Sequence, residues 1–291
     1  MTEQYIQFTN LSKGYDKKPV LTQLNATVHS GEVIGLLGLN GAGKTTLLET
    51  MLGFAFPNEG SITLFGSSAA VQLSEELKHR IGFVPQTDEL MPQMTARGYL
   101  SLISRFYAKW DHSLIETLIK EWEIPEDTKL QKLSVGQRQK VSILAAIGHN
   151  PDLLVLDEPV ASLDPKARRQ FLKTIIDHAS NEDKTVLFST HIVSDLERIA
   201  SRVWLIKEGR IVIDAALDEL KESTVRLRLP SASTLPSSVE KLIVNNRMES
   251  HQRVVTLLGW NESVAQALIS TCANVHVENL SLEDIFLELH A

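Results

Sequence analysis

Residues 33–46 read VIGLLGLNGAGKTT, a short apolar run that leads through a glycine-rich loop into a helix-forming stretch. Within it, GLNGAGKT at Gly38–Thr45 satisfies the pattern G-x-x-x-x-G-K-[ST], whose loop amides and helix N-terminus cradle phosphates. Lys44 supplies a movable positive charge for the β- and γ-phosphates, and the hydroxyl of Thr45 can ligate Mg²⁺. The stretch therefore predicts a P-loop nucleotide site, with contacts from Gly38, Asn40, Gly41, Gly43, Lys44, Thr45 and Thr46.

An acidic motif follows another apolar run at residues 153–159, LLVLDEP. Four apolar residues predict a buried parallel strand, which places Asp157 at its carboxyl end, where α/β sheets bind ligands. Asp157 is therefore expected to hold Mg²⁺ through water, and Glu158 to act as the general base toward an attacking water. Read alone, the motif is also explained as a strand end with ordinary acidic residues, but the phosphate loop favours the catalytic interpretation.

The composition of the whole chain limits its function. Its 291 residues include 29 basic and 36 acidic ones, a net charge of −7, which disfavours binding to nucleic acid. The longest apolar or glycine run, Val33–Leu39, is much shorter than the about 18 residues that a membrane-spanning helix needs. No secretory signal is visible, and the single cysteine, Cys272, excludes an internal disulfide. A cytoplasmic protein is expected, with Cys272 as a small buried apolar residue rather than a reactive thiol.

The pattern of structural elements changes near residue 222. Over residues 1–221, apolar runs alternate with helical stretches, which predicts an α/β fold whose parallel sheet is covered on both faces. Turn-rich segments between the first strands predict an antiparallel β subdomain, with residues 10–19 as a loop, and helical spacing predicts a helical insertion at about residues 94–150. Residues 222–291 are predicted to form a small α+β domain.

The expected elements can be placed along the chain. The strands are Tyr5–Phe8, Leu24–Val28, Val33–Leu37, Ser61–Leu64, Ile81–Val84, Leu153–Leu156, Thr185–Phe188, Val203–Ile206, Ile211–Ile213, Val225–Pro230, Val254–Leu258 and Asn274–Val277. The helices of the insertion are Ala96–Ala108, Asp111–Trp122 and Gly136–His149, and those of the second domain are Glu262–Ser270 and Leu282–Leu289.

Further motifs accompany the two already described. They are LSVGQ at Leu133–Gln137, Gln86 after the strand IGFVP, SLDP at Ser162–Pro165, and His191 after the strand TVLFST. In this order and spacing, the motifs resemble the ATP-binding subunit of an ABC transporter over about Tyr5–Leu220. The resemblance implies ATP and Mg²⁺ as cofactors and an ABC-type P-loop core.

The resemblance also implies roles for single residues. Tyr15, expected in the loop between the first strands, matches the residue that stacks on adenine, although it can also be a turn tyrosine. Gln86 matches the residue that reaches Mg²⁺ and the water. His191 matches the histidine that contacts the γ-phosphate, although a histidine after a buried strand is often only a satisfied polar residue.

Other matched positions imply a second ATPase subunit. Ser134 and Gly136 match the signature motif that closes over the γ-phosphate bound by the opposite subunit, and Asp164 matches a loop that crosses the dimer interface. The helix beginning at Gly136 offers its positive end to an anion but belongs to the helical insertion, so a second copy must supply it. Val135 departs from the usual glycine, and a stiff valine cannot easily adopt a positive φ.

The end of the chain narrows the resemblance. NLSLEDIFLEL at Asn279–Leu289 resembles the tail of separate ATPase subunits in bacterial exporters of peptide antibiotics, drugs and sodium. An amphipathic helix that closes a small domain explains the same apolar spacing. The resemblance implies a separate membrane permease and a location on the inner face of the cell membrane. The partner is expected to dock on Thr87–Tyr99, where Leu90, Met91 and Met94 form a small apolar patch.

Two classes of function follow from these observations. In the first, the chain is a transport motor in which ATP binding joins two subunits and hydrolysis separates them. In the second, it is a soluble ABC ATPase, of which only the iron–sulfur assembly type remains: the chain has one phosphate loop, 113 positions separate Lys44 from Asp157, and no basic stripe suggests nucleic acid. The additional C-terminal domain favours the transport motor.

Overall fold

The computed structural model describes residues 3–16, 18–68, 73–87, 89–180, 183–249, 252–272 and 274–290. The chain divides into two compact units, Met1–Asp214 and Ala215–Ala291. This division lies slightly before the boundary at residues 221 and 222 that the sequence predicts, because the short helix at Leu217–Glu222 belongs to the second unit.

The strands of the first unit account for both of its sheets. They are β1 (Gln4–Tyr15), β2 (Lys18–His29), β3 (Val33–Leu37), β4 (Glu59–Leu64), β5 (Ser67–Ser68), β6 (Ile81–Val84), β7 (Leu153–Asp157), β8 (Thr185–Thr190), β9 (Arg202–Lys207) and β10 (Arg210–Ala216). One sheet has the order β2-β1-β4-β5 and is antiparallel, as predicted. The other has the order β10-β9-β3-β8-β7-β6, and its strands from β9 to β6 are parallel. The carboxyl ends of β3, β6, β7 and β8 therefore meet at one edge, where ligands bind in such sheets.

The helices of the first unit surround these sheets. They are α1 (Lys44–Met51), α2 (Glu75–Arg80), α3 (Ala96–Ser104), α4 (His112–Glu121), α5 (Val135–Ile147), α6 (Pro165–Ala179) and α7 (Val193–Ile199), with a 3₁₀ turn at Leu130–Lys132. The range predicted as a helical insertion, residues 94–150, holds α3, α4, the 3₁₀ turn and α5. Thr95 and Asp111 accept backbone hydrogen bonds as N-caps of α3 and α4, which explains where these helices begin.

The main core joins both sheets to α1. Phe8 and Leu21 of the antiparallel sheet, Ile34 and Trp204 of the parallel sheet, and Leu48 of α1 are buried in one cluster. Burial of each such side chain contributes roughly 1.5–3 kcal/mol. Because α1 shares its core with both sheets, the phosphate loop that precedes it is held between two packed layers.

The first two strands are longer than predicted. Residues 10–19, predicted as a loop, lie largely in β1 and β2, and Tyr15 is the last residue of β1. The turn-forming residues of this segment are accommodated by register shifts in the pairing, with Asn10 and Gln23 at positive φ. Gly14 is required here, since a Cβ would lie 2.6 Å from the carbonyl oxygen of Lys18.

The second unit has an α+β fold, as predicted. Its elements are α8 (Leu217–Glu222), β11 (Thr224–Pro230), α9 (Ser237–Glu240), β12 (Ile243–Glu249), β13 (Gln252–Leu258), α10 (Glu262–Thr271), β14 (His276–Asn279) and α11 (Leu282–His290). The sheet is antiparallel with the order β12-β13-β11-β14, which together with α9 and α10 gives a split βαβ arrangement. The sequence did not predict β12 or α9.

The two faces of this sheet differ in character. Val225, Leu227 and Leu257 lie in an apolar cluster that also includes Val239 of α9 and Leu268 of α10. On the other face, three arginines and three glutamates alternate in a closed ring of ion pairs: Arg226, Glu278, Arg228, Glu249, Arg247 and Glu288. Glu288, which belongs to α11, completes the ring and ties that helix to the sheet.

In the second unit, the surroundings of Glu288 lower its pKa, and those of Cys272 leave it partly exposed. Burial alone would raise the pKa of Glu288, but hydrogen bonds from Arg247 and Arg226 outweigh burial and bring this pKa to about 2. Cys272 is only partly buried, and its Sγ donates to the carbonyl of Thr234 at 3.1 Å. The prediction of a buried apolar cysteine is therefore met only in part: Cys272, the C-cap of α10, packs against the apolar cluster at its rim.

Candidate active site

The phosphate loop joins β3 to α1. Gly41 and Gly43 adopt positive φ values of 80° and 109°, which residues other than glycine rarely adopt. Gly38 is constrained by packing, since a Cβ would lie 2.7 Å from the side chain and the carbonyl of Ile206. These three glycines let the backbone turn tightly in front of the helix.

Helix α1, like α7, has no side-chain cap at its N-terminus. Side chains cap α3, α4, α5 and α6, whereas no side chain caps α1, whose N-cap is Gly43. The first backbone N–H groups of α1 are therefore available to an anion, and the helix dipole favours negative charge there.

Lys44 is buried at the start of α1. Its Nζ donates to the carbonyl of Gly38 at 2.8 Å and lies 3.3 Å from Oε1 of Glu158. The ammonium is thereby held between the phosphate loop and the carboxyl end of β7.

Glu158 follows β7 in the left-handed region, with φ 49°. Its Oε2 lies 2.8 Å from Nδ1 of His191, the residue that follows β8. Its backbone N–H donates to Oγ of Ser189 at 2.9 Å. Glu158 is thus fixed by contacts to both side chain and backbone, and left-handed backbone in a non-glycine residue is often found at functional sites.

Asp157 is fully buried at the end of β7. Its Oδ1 accepts a hydrogen bond from Oγ of Ser189 at 2.5 Å. Burial raises the pKa of Glu49 in α1, and the charge of Asp157 adds to this effect. Strand β7, which ends at Asp157, packs against α1, the helix that follows the phosphate loop.

A cavity of about 390 Å³, here called the nucleotide cavity, opens between these groups. It is lined by Tyr15, Val20, Asn40, Gly41, Gly43, Lys44, Thr45, Thr46, Gln86 and Glu158. All of these except Val20 are residues that the sequence assigns to nucleotide binding or hydrolysis. Gly38 and His191 contact this lining through Lys44 and Glu158, while Asp157 reaches it through Ser189.

Besides Gly38, His191 and Asp157, three more assigned residues do not line the nucleotide cavity: Ser134, Gly136 and Asp164 lie at the N-termini of α5 and α6. Ser134 caps α5 in a reciprocal pair of hydrogen bonds with Gln137, and a Cβ on Gly136 would lie 2.8 Å from the carbonyl of Ser162. Asp164 caps α6, where the backbone N–H groups of Ala167 and Lys166 lower the pKa of its carboxyl group. The assignment of these three residues to a nucleotide held by another subunit stays a prediction.

The valine at position 135 fits its site. Val135 is the first residue of α5 and is exposed, and it does not have a positive φ. The stiffness of a β-branched residue is compatible with a helix start. The concern about backbone freedom at this position therefore does not apply to the conformation observed.

Tyr15 lies at the rim of the nucleotide cavity, and 44% of the residue is exposed. The ammonium of Lys13 lies 4.6 Å from the centre of its ring. One ring face is thus in contact with a cation, and Tyr15 is exposed enough to stack on a flat base. Although Tyr15 ends strand β1 and does not lie in a loop, it lines the nucleotide cavity.

The donor set around the nucleotide cavity suits Mg²⁺. This ion prefers oxygen ligands and is commonly held by one or two protein groups together with substrate phosphates and water. The hydroxyl of Thr45 and the amide of Gln86 border the cavity, and Asp157 supplies a carboxylate behind it. No cluster of three or more His, Cys, Asp or Glu suited to a metal ion occurs in the described ranges.

A second, more apolar cavity of about 530 Å³, here called the docking groove, lies beside α3 and α5. Leu90 and Tyr99 of the predicted docking segment line it, together with Phe54 and Phe83. Met91 is exposed and Met94 is half-buried, and neither lines the docking groove, so Leu90 alone of the predicted patch lies in its lining, and the patch as a docking surface stays a prediction. Asp88 of the same segment lies outside the described residues.

Sequence reasoning missed Ser189. Its hydroxyl contacts both Asp157 and the backbone of Glu158, although no known motif marks it. A signal was present: the strand TVLFST ends in two hydroxyl residues directly before His191. Since β7 and β8 pair in parallel, polar residues at their ends lie side by side.

Comparison with known proteins agrees with this geometry. The family described as ABC transporter matches residues 21–161. The Nod factor export ATP-binding protein I of Burkholderia lata is 36% identical over 228 residues, covering 76% of this chain and 73% of that protein.

Solved structures give the same result. The ATP-binding subunit of an ABC transporter has a TM-score of 0.68 and 28% identity, covering 75% of this chain and 92% of that chain. A dimeric structure of the bacterial ABC transporter cassette MJ0796 has a TM-score of 0.66 and 25% identity, covering 73% of this chain and 98% of that chain. In the described part of the chain, no helix combines the length and apolar character that crossing a membrane requires.

Proposed function

The chain belongs to the ABC transporter family as an ATP-binding and ATP-hydrolysing subunit, and on this basis we propose that it is the motor of an exporter whose membrane-spanning part is a separate chain. One observation carries the proposal. The carboxylate of Glu158 lies 3.3 Å from Lys44 and 2.8 Å from His191, at the edge of a cavity lined by the phosphate loop. This arrangement brings a phosphate-binding cation and a general base to the same point.

The residues divide the chemistry between them. The loop amides, the N-terminus of α1 and Lys44 hold the β- and γ-phosphates, and Tyr15 stacks on the adenine. Glu158 orients the attacking water and accepts its proton, while His191 contacts the γ-phosphate. Mg²⁺, held by Thr45, Gln86 and Asp157, would neutralise charge on the transferred phosphoryl group.

We propose that two copies of the chain close around ATP. Ser134 and Gly136 lie outside the nucleotide cavity of their own chain, at the start of a helix whose positive end suits an anion. In this arrangement, each subunit presents its signature motif to the nucleotide of the other. The dimeric structure of the similar cassette MJ0796 supports this proposal.

The docking groove is the surface proposed for the membrane subunit. Phe54, Met91 and Phe106 are exposed apolar residues, and Phe54 also lines the groove. Exposed apolar residues around a concave groove are typical of protein interaction sites. Strand β6 lines the docking groove through Phe83, and Gln86, two residues after this strand, lines the nucleotide cavity. A few residues of one segment therefore connect the nucleotide with the membrane subunit. Attachment through this partner would place the chain on the inner face of the cell membrane.

Export as the direction of transport rests on similarity. The relative from Burkholderia lata is described as a Nod factor export ATP-binding protein, and the C-terminal tail resembles those of exporter ATPases. These observations support an exporter and do not favour the alternative of an iron–sulfur assembly ATPase.

The proposal is tested by purifying the chain together with the membrane protein that it retains and following three readouts. We expect steady-state ATP hydrolysis by the complex and ATP-dependent dimer formation by the Glu158→Gln variant. We also expect ATP-dependent transport of substrate from the cytoplasmic side of the vesicle membrane to the opposite side. Hydrolysis without any retained membrane protein, and with dimer formation intact, would instead indicate a soluble ABC ATPase.

A further inference from the structure

The buried hydroxyl of Ser189 links the two acidic residues at the end of β7. In the parallel pairing of β7 with β8, Asp157 lies directly opposite Ser189. The register of the sheet therefore fixes the hydroxyl beside this carboxylate, and no loop movement is needed to bring the two groups together. Ser189 itself has no solvent-exposed surface.

The directions of the two hydrogen bonds follow from chemistry. An ionised carboxylate only accepts, so the hydroxyl of Ser189 donates its single proton to Oδ1 of Asp157, at 2.5 Å. The backbone N–H of Glu158 only donates, so it donates to Oγ of the same hydroxyl, at 2.9 Å. One side chain thus satisfies a carboxylate and a backbone group on adjacent residues, both in a buried site.

The backbone of Glu158 depends on this support. Its φ of 49° lies in the left-handed region, which costs of the order of 1 kcal/mol or more for a residue that carries a side chain. The hydrogen bond to Ser189 holds the peptide that enters this conformation. Without it, both the N–H of Glu158 and Oδ1 of Asp157 would lose a partner in a buried region.

We propose that Ser189 is a positioning residue for ATP hydrolysis, which holds Asp157 for Mg²⁺ and Glu158 for the attacking water in one fixed geometry. This inference rests on the proposed roles of Asp157 and Glu158. Ser189 does not line the nucleotide cavity and acts only through these two residues. Its loss therefore changes hydrolysis and the response to Mg²⁺, but leaves the contacts of the phosphate loop to ATP in place.

The test uses three variants of the full chain. Ser189→Ala removes the hydroxyl, and Ser189→Cys fills nearly the same space with a weak donor, so that a shared defect cannot be due to a cavity. Thr185→Val is the matched control, because Thr185 is equally buried in β8 but lies at its opposite end, where, among the residues that the structure describes, its hydroxyl bonds to the backbone of Gly31 and His29. Thermal unfolding identifies any variant that fails to fold.

Three outcomes are expected. Loss of hydrogen bonds to a charged group lowers kcat about 10- to 100-fold in Ser189→Ala and less in Ser189→Cys, with Thr185→Val close to wild type. ATP affinity measured in EDTA stays within about 3-fold of wild type in all variants, because the phosphate loop is unchanged. The gain in ATP affinity on adding Mg²⁺ is smaller in Ser189→Ala than in wild type.

Other results would overturn the inference. Wild-type kcat and an unchanged Mg²⁺ response in Ser189→Ala, or equal losses in Ser189→Ala and Thr185→Val, exclude a positioning role. Glu158→Gln in the same assays separates this inference from the proposed function: if that variant hydrolyses ATP normally, the roles assigned to the site are wrong, whereas a large loss there with normal Ser189→Ala rejects only the role of Ser189.

Discussion

Lys44 and Glu158 form a buried ion pair, with 3.3 Å between Nζ and Oε1. The proposed phosphate-binding cation and the proposed general base therefore share one contact. A phosphate that binds Lys44 must compete with the carboxylate for the same ammonium group, since like charges cannot both approach it without repelling each other. Glu158, the proposed general base, is thus expected to oppose the binding of ATP.

Glu158→Gln is expected to bind ATP about 3- to 10-fold more tightly than wild type, because the neutral amide no longer competes for Lys44. Its steady-state hydrolysis should fall about 100-fold or more, since the amide cannot accept the proton of the water. ATP affinity is measured in EDTA and hydrolysis by phosphate release. Glu123→Gln, which removes an exposed ion pair with Lys166, is the control and should change neither. Single-turnover hydrolysis at the wild-type rate in Glu158→Gln would remove Glu158 from this role.

Lys44→Ala should weaken ATP binding and also destabilise the protein, because it leaves the buried carboxylate of Glu158 without its cation. Breaking a buried pair in this way costs about 3 kcal/mol. The double variant Lys44→Ala with Glu158→Gln should recover most of this stability without recovering ATP binding. Chemical denaturation and ATP titration of the four proteins provide the measurement. A double variant as unstable as Lys44→Ala would show that the ion pair is not the cause.

Replacing Leu90 and Met91 with Asp should abolish co-purification with the membrane subunit while the basal ATP hydrolysis of the isolated chain stays nearly intact. Leu90 lines the docking groove and Met91 is exposed, so the added charges face a partner rather than the core. Ile176→Asp is the matched control, because Ile176 is similarly exposed on α6, away from the groove. If the complex forms normally, the docking assignment is wrong; joint loss of solubility and hydrolysis would place these residues in the core.

Truncation after Glu222 should leave a folded fragment that binds ATP. Every residue assigned to the nucleotide cavity precedes Asp214, the last residue of the first unit. ATP titration and thermal unfolding of the fragment test this expectation. A fragment that neither binds ATP nor unfolds cooperatively would show that the two units depend on one core.

Acidification should destabilise the first unit through His149. Burial lowers the pKa of this histidine to about 4, below the ordinary value of 6.5, so the unfolded chain binds the proton more readily. The contribution of neutral His149 to the free energy of unfolding is fully present above about pH 6.5. It decreases as the pH falls toward 4, and at pH 5 the loss is about 2 kcal/mol. Urea denaturation at pH 7.5 and 5 measures the loss.

The variant His149→Gln should show correspondingly less dependence on pH. His178, whose pKa burial also lowers to about 4, contributes a second, separate decline that remains in this variant. His112→Gln, at the exposed start of α4, is the control and should behave as wild type. An unchanged pH dependence in His149→Gln would contradict the assignment.

Sequence patterns were most informative where a chemical motif and a buried strand coincide. The bounds predicted for β3 and β6 match the structure, because short apolar runs in a covered parallel sheet admit few alternatives. Strand β12 was missed because its inner positions are polar: Asn245 and Arg247 bond to Glu288 of α11, so the strand lacks apolar alternation. The inner face of β12 takes part in the ring of ion pairs through Arg247 and Glu249, and apolar periodicity cannot detect such a face.

The same distinction applies to the site. The phosphate loop, Gln86 and Glu158 come together at one cavity, as their order in a parallel sheet predicts. The role of Ser189 depends on strand register, and the pairing of Asp157 with Ser189 is decided by packing between segments 32 positions apart. The two hydroxyl residues that end TVLFST indicate a polar strand end, but a single sequence does not give the register that pairs Ser189 with Asp157.

The position of β3 in its sheet also has a consequence for biosynthesis. Both neighbours of this strand, β8 and β9, are formed by residues 185–207, and the phosphate-loop glycine Gly38 packs against Ile206. A ribosome must therefore translate more than 160 further codons after Gly38 before the residues that pack beside the phosphate loop exist. Until then the phosphate loop lacks its neighbouring strands, so ATP cannot act as a folding ligand early in synthesis, and products that terminate before residue 185 lack both strands that flank β3.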